Sequence, residues 1–323
     1  MRTKAFAFVL LAAMAFCAGA IDLQGHRGTR GLAPENTLAA FRTALAIGVT
    51  TLETDLALTR DGVLVLSHEP HLYAALTRGS DGTWLTEDGA TIFSLNASDL
   101  AQYDIGRPNP AHKYAAQWPA QKASDGERIP TLQQLFDLAR EARSPGGRPV
   151  RFNIETKITP VSGDSTPDPE RYARAVVDAV RAAKMSERVT VQSFDWRTLR
   201  EVKKLAPELS TACLTIDSSN MNTVLPDASG ASPWHAGVKA ADYGGSLPRM
   251  AQSAGCSIWS PFWRNVTAEN IAEAHALKLK IIPWTVNDPA EIERLATLGV
   301  DGIITDYPDR ARSALAARSL VIE

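Results

Sequence analysis

Cysteine is scarce in this chain. Of three, Cys17 falls within the first twenty residues, which leaves Cys213 and Cys256. Two such residues are either one disulfide in an oxidising compartment or a pair of buried small hydrophobes, and the sequence leaves both open. Charge of one sign is also missing: 34 Lys and Arg face 36 Asp and Glu, a net charge of −2. A chain this close to neutral carries no broad basic field, which argues against general nucleic-acid binding. After residue 20 no stretch is long and apolar enough to span a bilayer, which takes roughly 20 residues. There is no internal repeat, and no glycine-rich phosphate loop follows the first candidate strand.

What is present begins with an address. Arg2 and Lys4 precede the apolar run Ala5–Ala15, and Ala18-Gly19-Ala20 offers small residues where a signal peptidase cuts. Residues 1–20 are therefore expected to be a cleaved leader, with Phe16 before Cys17 arguing against a lipoprotein site. Export places residues 21–323 in the periplasm or outside the cell as one domain, with no stable membrane insertion.

Along that domain, candidate strands at 22–25, 51–57, 151–155, 189–193, 210–215, 256–260, 280–285 and 302–305 alternate with amphipathic stretches at 37–46, 169–183, 196–206, 268–277 and 289–298. In Pro169–Ala183, Tyr172, Val176, Val177 and Val180 recur at helical spacing between charged residues. Eight strands alternating with helices predict an α/β fold, a TIM (β/α)8 barrel with an elaborated loop insertion after strand 2. A doubly wound open sheet is the runner-up, weakened by the missing phosphate loop. The insertion, about residues 72–130, is rich in Asp, Gly, Asn and Pro. A second, smaller excursion runs from Asp217 to Gly245, and neither has the apolar periodicity of a separate domain.

Charged residues gather where barrel strands end, which is where this fold builds active sites. His26-Arg27-Gly28 follows the first strand. Glu53 and Asp55 stand two apart in the second, so both face one side. Glu155 and Lys157 repeat that spacing on the third, and His68 follows a short apolar stretch. Three converging carboxylates repel unless paired with cationic side chains or with a hard divalent cation, and such cations choose carboxylate oxygen. Two histidines beside a phosphorus centre can divide the work of a base and an acid. Arg27 suits bidentate phosphate binding and Lys157 adds a point charge. His68-Glu69-Pro70-His71 lacks zincin spacing, and Pro70 forbids a helix there.

Taken in order, Gly25-His26-Arg27-Gly28, Pro34-Glu35-Asn36-Thr37, Phe41, Gly48, Glu53, Asp55, Asp61-Gly62, His68, Asn153-Ile154-Glu155-Thr156-Lys157, Gln192-Ser193-Phe194-Asp195, Trp284-Thr285-Val286-Asn287 and Asp301–Asp306 closely resemble the glycerophosphodiester phosphodiesterases over nearly the whole chain. The resemblance implies a TIM barrel with a divalent cation, Ca²⁺ or Mg²⁺, held by Glu53, Asp55 and Glu155. His26 and His68 then form the acid/base pair, Arg27 and Lys157 face phosphate, and Trp284 walls the pocket. It also implies a small-molecule glycerophosphodiester substrate, attack by the neighbouring glycerol hydroxyl, a cyclic phosphate, and release of glycerol 3-phosphate and an alcohol. Glu69 departs from the family's usual Asp. Alternatives are a phospholipase D-like lyase on intact lipids and a barrel that binds phosphodiesters without turnover. Of the other residues, Asn36 or Thr37 is expected to cap a helix, with Glu35 or Asn36 alternatively bracing the metal site. Gln192-Ser193-Phe194 is expected to shape the pocket rather than react, Phe262 to be core, and Trp259 and Trp263 to be either core or substrate wall.

Overall fold

The computed structural model describes residues 20–323, so the expected leader lies outside the described residues except for Ala20. The strands are β1 (Asp22–Gly25), β2 (Thr51–Leu58), β3 (Leu64–Leu66), β4 (Arg151–Thr156), β5 (Val189–Ser193), β6 (Ser210–Thr215), β7 (Ile258–Pro261), β8 (Lys280–Ile281) and β9 (Gly302–Thr305). The helices are α1 (Leu38–Ile47), α2 (Ala97–Leu100), α3 (Leu132–Leu138), α4 (Pro169–Ala182), α5 (Trp196–Leu205), α6 (Leu247–Ser253), α7 (Ala268–Ala276), α8 (Pro289–Leu298) and α9 (Pro308–Ala317). Eight strands pair in parallel in the order β8-β7-β6-β5-β4-β2-β1-β9. Backbone hydrogen bonds from Asp301 N to Ile281 O and from Ile304 N to Pro283 O bring the two ends of that order together. With a helix after each strand, the architecture is the TIM barrel that the alternation predicts.

Local chemistry explains the helix starts. Thr37 caps α1 by accepting from Ala40 N, which leaves Asn36 free for other work. Thr131 and Gln134 form a reciprocal capping box at α3, and Asp168 followed by Pro169 opens α4. The α4 face named above is buried: Tyr172, Val176, Val177 and Val180 pack against the barrel. Gly28 takes φ +82°, and a Cβ there would sit 2.7 Å from that of Ala40, so α1 lies close under the first strand's turn only because the residue is glycine.

The insertion is more structured than its composition suggests. The chain enters it from β3, which is antiparallel to β2, and the insertion itself carries α2. Leu72, Ile92 and Leu100 bury themselves with Val65 and Ala57 of the β2–β3 ribbon in a small core of their own. Cys213 on β6 and Cys256 ahead of β7 are joined in a disulfide, which resolves the alternative left open above. Trp259 is fully buried, whereas Phe262 and Trp263 are half-buried at the mouth, so Phe262 is not the core residue expected of it. Among the described residues no helix is long and apolar enough to cross a membrane.

Candidate active site

The register of β2 on β4 builds the centre of the site. Asp55 pairs with Glu155 across the two strands, and Glu53 stands two residues earlier on the same face. Carboxylate oxygens of all three lie within 4.8 Å of one another, and all three side chains are buried. Burial, with Asp55 nearby, holds the Glu53 carboxyl well above its usual range. Glu155 is raised too, first by burial, against the pull of Lys157. Asp55 is the one that stays ionised: burial opposes its charge, but Arg27, His68 and Lys157 outweigh it.

Around this trio each oxygen is nearly accounted for. Glu53 accepts from Arg27 N at 2.8 Å and from Gln192 Nε2 at 2.8 Å. Glu155 accepts from Lys157 Nζ at 2.8 Å. Asp55 Oδ2 accepts from Asn36 Nδ2 at 3.0 Å and has Arg27 Nε at 3.1 Å, while its Oδ1 is buried without a hydrogen-bond partner. A buried, unpartnered oxygen inside a set of hard donors is what a divalent cation satisfies, so these residues fit such an ion.

Both histidines are braced by carboxylates. His26 Nδ1 lies 2.7 Å from Asp306 Oδ1, which puts the ring proton on Nδ1 and leaves Nε2, 4.0 Å from Glu53, as a lone pair toward the cleft. Burial pushes His26 down to about 4, with Asp306 acting the other way, so the ring is neutral at pH 7. Asp306 is held ionised despite burial by Arg30 and His26, and Asn287 donates to it at 2.7 Å. His68 Nδ1 lies 2.7 Å from Glu69 Oε1. The hydrogen bond from His68 lowers Glu69 to about 2, against burial, so the longer side chain still reaches its neighbour. Burial, then Arg27 and Lys157, lower His68 itself.

Arg27 is buried, with φ +50°, and its Nη1 donates to Glu35 Oε1 at 2.8 Å. Glu35 in turn accepts a short hydrogen bond from the hydroxyl of Tyr114, a residue of the insertion. Burial works against ionisation of Glu35, yet the Arg27 and Arg30 guanidiniums hold it below the usual carboxylate range. His26, Arg27, His68, Glu53, Glu155 and Lys157 all line one open cleft of about 140 Å³, and Trp284 and Phe194 line it with them. Every residue expected at the site is therefore at this mouth, with Asp55 just beneath it.

Sequence reasoning missed several of the groups that hold these residues. Asp306 had a signal: it directly follows β9, at the strand end where this fold places functional groups. Gln192 was not missed: it belongs to the motif at the end of β5 expected to shape the pocket, and it lines the cleft and donates to Glu53. Tyr114 had no signal, since an irregular insertion gives no periodicity from which to place a side chain 79 residues from Glu35.

Known proteins agree with the architecture. A protein of Silicibacter pomeroyi DSS-3, assigned to the glycerophosphoryl diester phosphodiesterases, superposes with a TM-score of 0.81 at 34% identity, over 94% of this chain and 96% of that one. The glycerophosphodiester phosphodiesterase of Caldanaerobacter subterraneus subsp. tengcongensis is 30% identical over 88% of this chain and 93% of its own length. A Bacillus altitudinis glycerophosphodiester phosphodiesterase is 28% identical over 88% and 94%. Residues 26–310 match the model of the glycerophosphoryl diester phosphodiesterase family, from His26 to beyond Asp306, and the chain belongs to that family.

Proposed function

We propose that this chain hydrolyses glycerophosphodiesters, releasing glycerol 3-phosphate and the alcohol, with a divalent cation, Ca²⁺ or Mg²⁺, held by Glu53, Asp55 and Glu155. The observation that carries this reading is the buried trio with an unpartnered Asp55 oxygen, set between two carboxylate-braced histidines. When bound, the cation offsets negative charge that develops on the phosphate. Arg27 and Lys157 bind the phosphate oxygens, and the bracing of Arg27 by Glu35 and Asp55 fixes its guanidinium before substrate arrives. His26, neutral with its lone pair on Nε2, takes the proton from the glycerol hydroxyl as that oxygen attacks phosphorus. His68, entering as the imidazolium whose Nδ1–H is held by Glu69, gives its Nε2 proton to the departing alcohol oxygen and becomes neutral. Water then opens the cyclic phosphate with the proton roles reversed, and both histidines return to their starting states.

Residues 21–323 act as one domain in this reading. The chain is exported, and a disulfide between Cys213 and Cys256 accords with an oxidising compartment. An N-terminus at Ile21 on protein recovered from a periplasmic or culture fraction tests the export.

The reaction is tested by glycerol 3-phosphate release from glycerophosphocholine, with and without EDTA and with Ca²⁺ or Mg²⁺ added back. Turnover that chelator abolishes and metal restores, and that His26→Ala and Glu53→Ala each remove, supports the reading. A folded, metal-loaded protein inert toward glycerophosphodiesters overturns it.

A further inference from the structure

The barrel interior has two unlike halves. From β1, β4 and β5, Gln24, Asn153 and Gln192 form a chain: Asn153 Nδ2 donates to Gln24 Oε1 and to Gln192 Oε1, both at 2.9 Å, and Gln192 passes on to Glu53. From β6, β7, β9 and the residue just past β8 come Ala212, Ile258, Ile304 and Ile282, an apolar cluster with Trp284 packed over it.

The same division continues at the mouth. The charged groups described above line the cleft together with Phe194 and Trp284, and from these two rings an unbroken aromatic row runs on past the cleft in both directions. Centroids run Trp234 to Phe194 at 6.3 Å, Phe194 to Trp284 at 5.2 Å, Trp284 to Phe262 at 5.9 Å and Phe262 to Trp263 at 5.9 Å. All five rings are half-buried, and Trp284 is pinned by donation from its Nε1 to Ser260 O at 3.0 Å. The smaller excursion carries this row outward. Asn265, two residues after Trp263, grips Asp217 through both backbone groups, accepting from its N at 3.0 Å and donating to its O at 2.9 Å, which ties the start of the excursion to the loop after β7. Met221 is 37% exposed, and Leu225, four residues on, is 65% exposed. Val161, 89% exposed on the loop after β4, stands at the same end of the barrel. Three of the five large hydrophobic side chains exposed among the described residues thus stand on loops at the mouth end of the barrel.

We propose, building on the phosphodiesterase reading above, that this aromatic row is the subsite for the alcohol half of the diester and that it selects alcohols carrying an apolar chain. Cations stand over two of its rings: Lys157 Nζ is 5.9 Å from Phe194, beside the charged groups, and the Arg264 guanidinium covers Trp263, at the far end, at 4.9 Å. A quaternary ammonium alcohol would lie between two like charges, whereas an alkyl chain gains from every methylene it buries. The anionic phosphate is then held by the charged groups and the apolar alcohol by the aromatic row, so the diester is oriented end to end.

The test is kcat/KM for glycerophosphoethanol, glycerophosphobutanol and glycerophosphohexanol, all below their aggregation concentrations, with glycerophosphocholine as the cationic comparison. In the wild-type enzyme kcat/KM is expected to rise roughly two- to fourfold per added methylene, and glycerophosphocholine is expected to fall below the butyl ester. In Trp234→Ala and Phe262→Ala the rise with length should flatten. Release that is independent of chain length in the wild type, or that is fastest for glycerophosphocholine, overturns this proposal and leaves the phosphodiesterase reading intact. No release from any of the four overturns both.

Discussion

At Asp55 the strand register does something that neither strand would do alone. Pairing β2 with β4 sets Asp55 against Glu155, and two-residue periodicity brings Glu53 onto the same side, so three acids share a volume with too few counter-charges. Glu53 and Glu155 respond by rising toward their neutral forms, while Asp55 remains charged. A cation that binds this folded cluster stabilises the protein by mass action, about 2.7 kcal/mol at a concentration 100 times its dissociation constant. Glu53→Gln keeps the side-chain shape and removes one charge, together with one of the two hydrogen bonds that the carboxylate accepts. In a thermal melt, Ca²⁺ or Mg²⁺ should raise the Tm of the wild type by several degrees and that of the variant by less than half as much. An equal rise in both would show that the ion binds elsewhere. Asp306 makes the corresponding case for His26. Without its carboxylate the ring loses the group that fixes its tautomer, and Asp306→Asn should lower kcat about 10- to 100-fold, in the range seen when a partner behind a functional histidine is lost. Activity within twofold of wild type would show that the 2.7 Å contact is structural only.

The elements divide into those whose pattern declares them and those whose role is tertiary. α4 and α8 lie where periodicity puts them, because Val176, Val180, Ile292 and Leu295 repeat on one face. β8 is shorter than the apolar run at 280–285 suggests, since Pro283 has no N–H to offer a ladder and the chain turns inward with Trp284. The trio on β2 and β4 was legible because strand periodicity carries it. Tyr114 was not, because its position depends on how an irregular insertion returns over the barrel. Its ring packs at 6.0 Å from Tyr73 and 6.1 Å from Trp118, and Trp118 in turn lies under the Arg30 guanidinium at 4.4 Å. The insertion therefore reaches the site twice, through Tyr114 to Glu35 and Arg27, and through Trp118 to Arg30 and Asp306. Tyr114→Phe keeps the ring packing and removes only the hydroxyl donor. We expect kcat to fall about tenfold, near the 1.4 kcal/mol of one lost charge-assisted hydrogen bond, with a smaller change in KM and an unaltered Tm. If kcat holds while Tm drops, the insertion is a packing element and its link to Arg27 is incidental.

Across the whole molecule, the barrel's closed packing leaves one ionisable ring in an apolar place, and it makes stability depend on pH. His235, on the smaller excursion, is fully buried and stacked on Trp196 with centroids 4.1 Å apart, and neither ring nitrogen has a hydrogen-bond partner. Burial alone lowers it from 6.5 to about 4. Between those values the unfolded chain binds a proton that the folded chain does not, so unfolding becomes more favourable as pH falls through the window. The contribution is fully present above about 6.5 and is lost progressively down to about 4, amounting to about 2 kcal/mol between pH 7.5 and pH 5. His26 and His68 are lowered as well and add to the same slope, so the wild-type profile alone does not isolate His235. His235→Phe does, because it keeps a ring against Trp196 and removes two unpartnered nitrogens together with the titration. The variant should melt at or above the wild-type temperature at pH 7.5, and its advantage should widen by several degrees at pH 5. A gap that stays constant between the two pH values would mean that His235 is solvated when it protonates, and that the excursion opens far more readily than its burial implies.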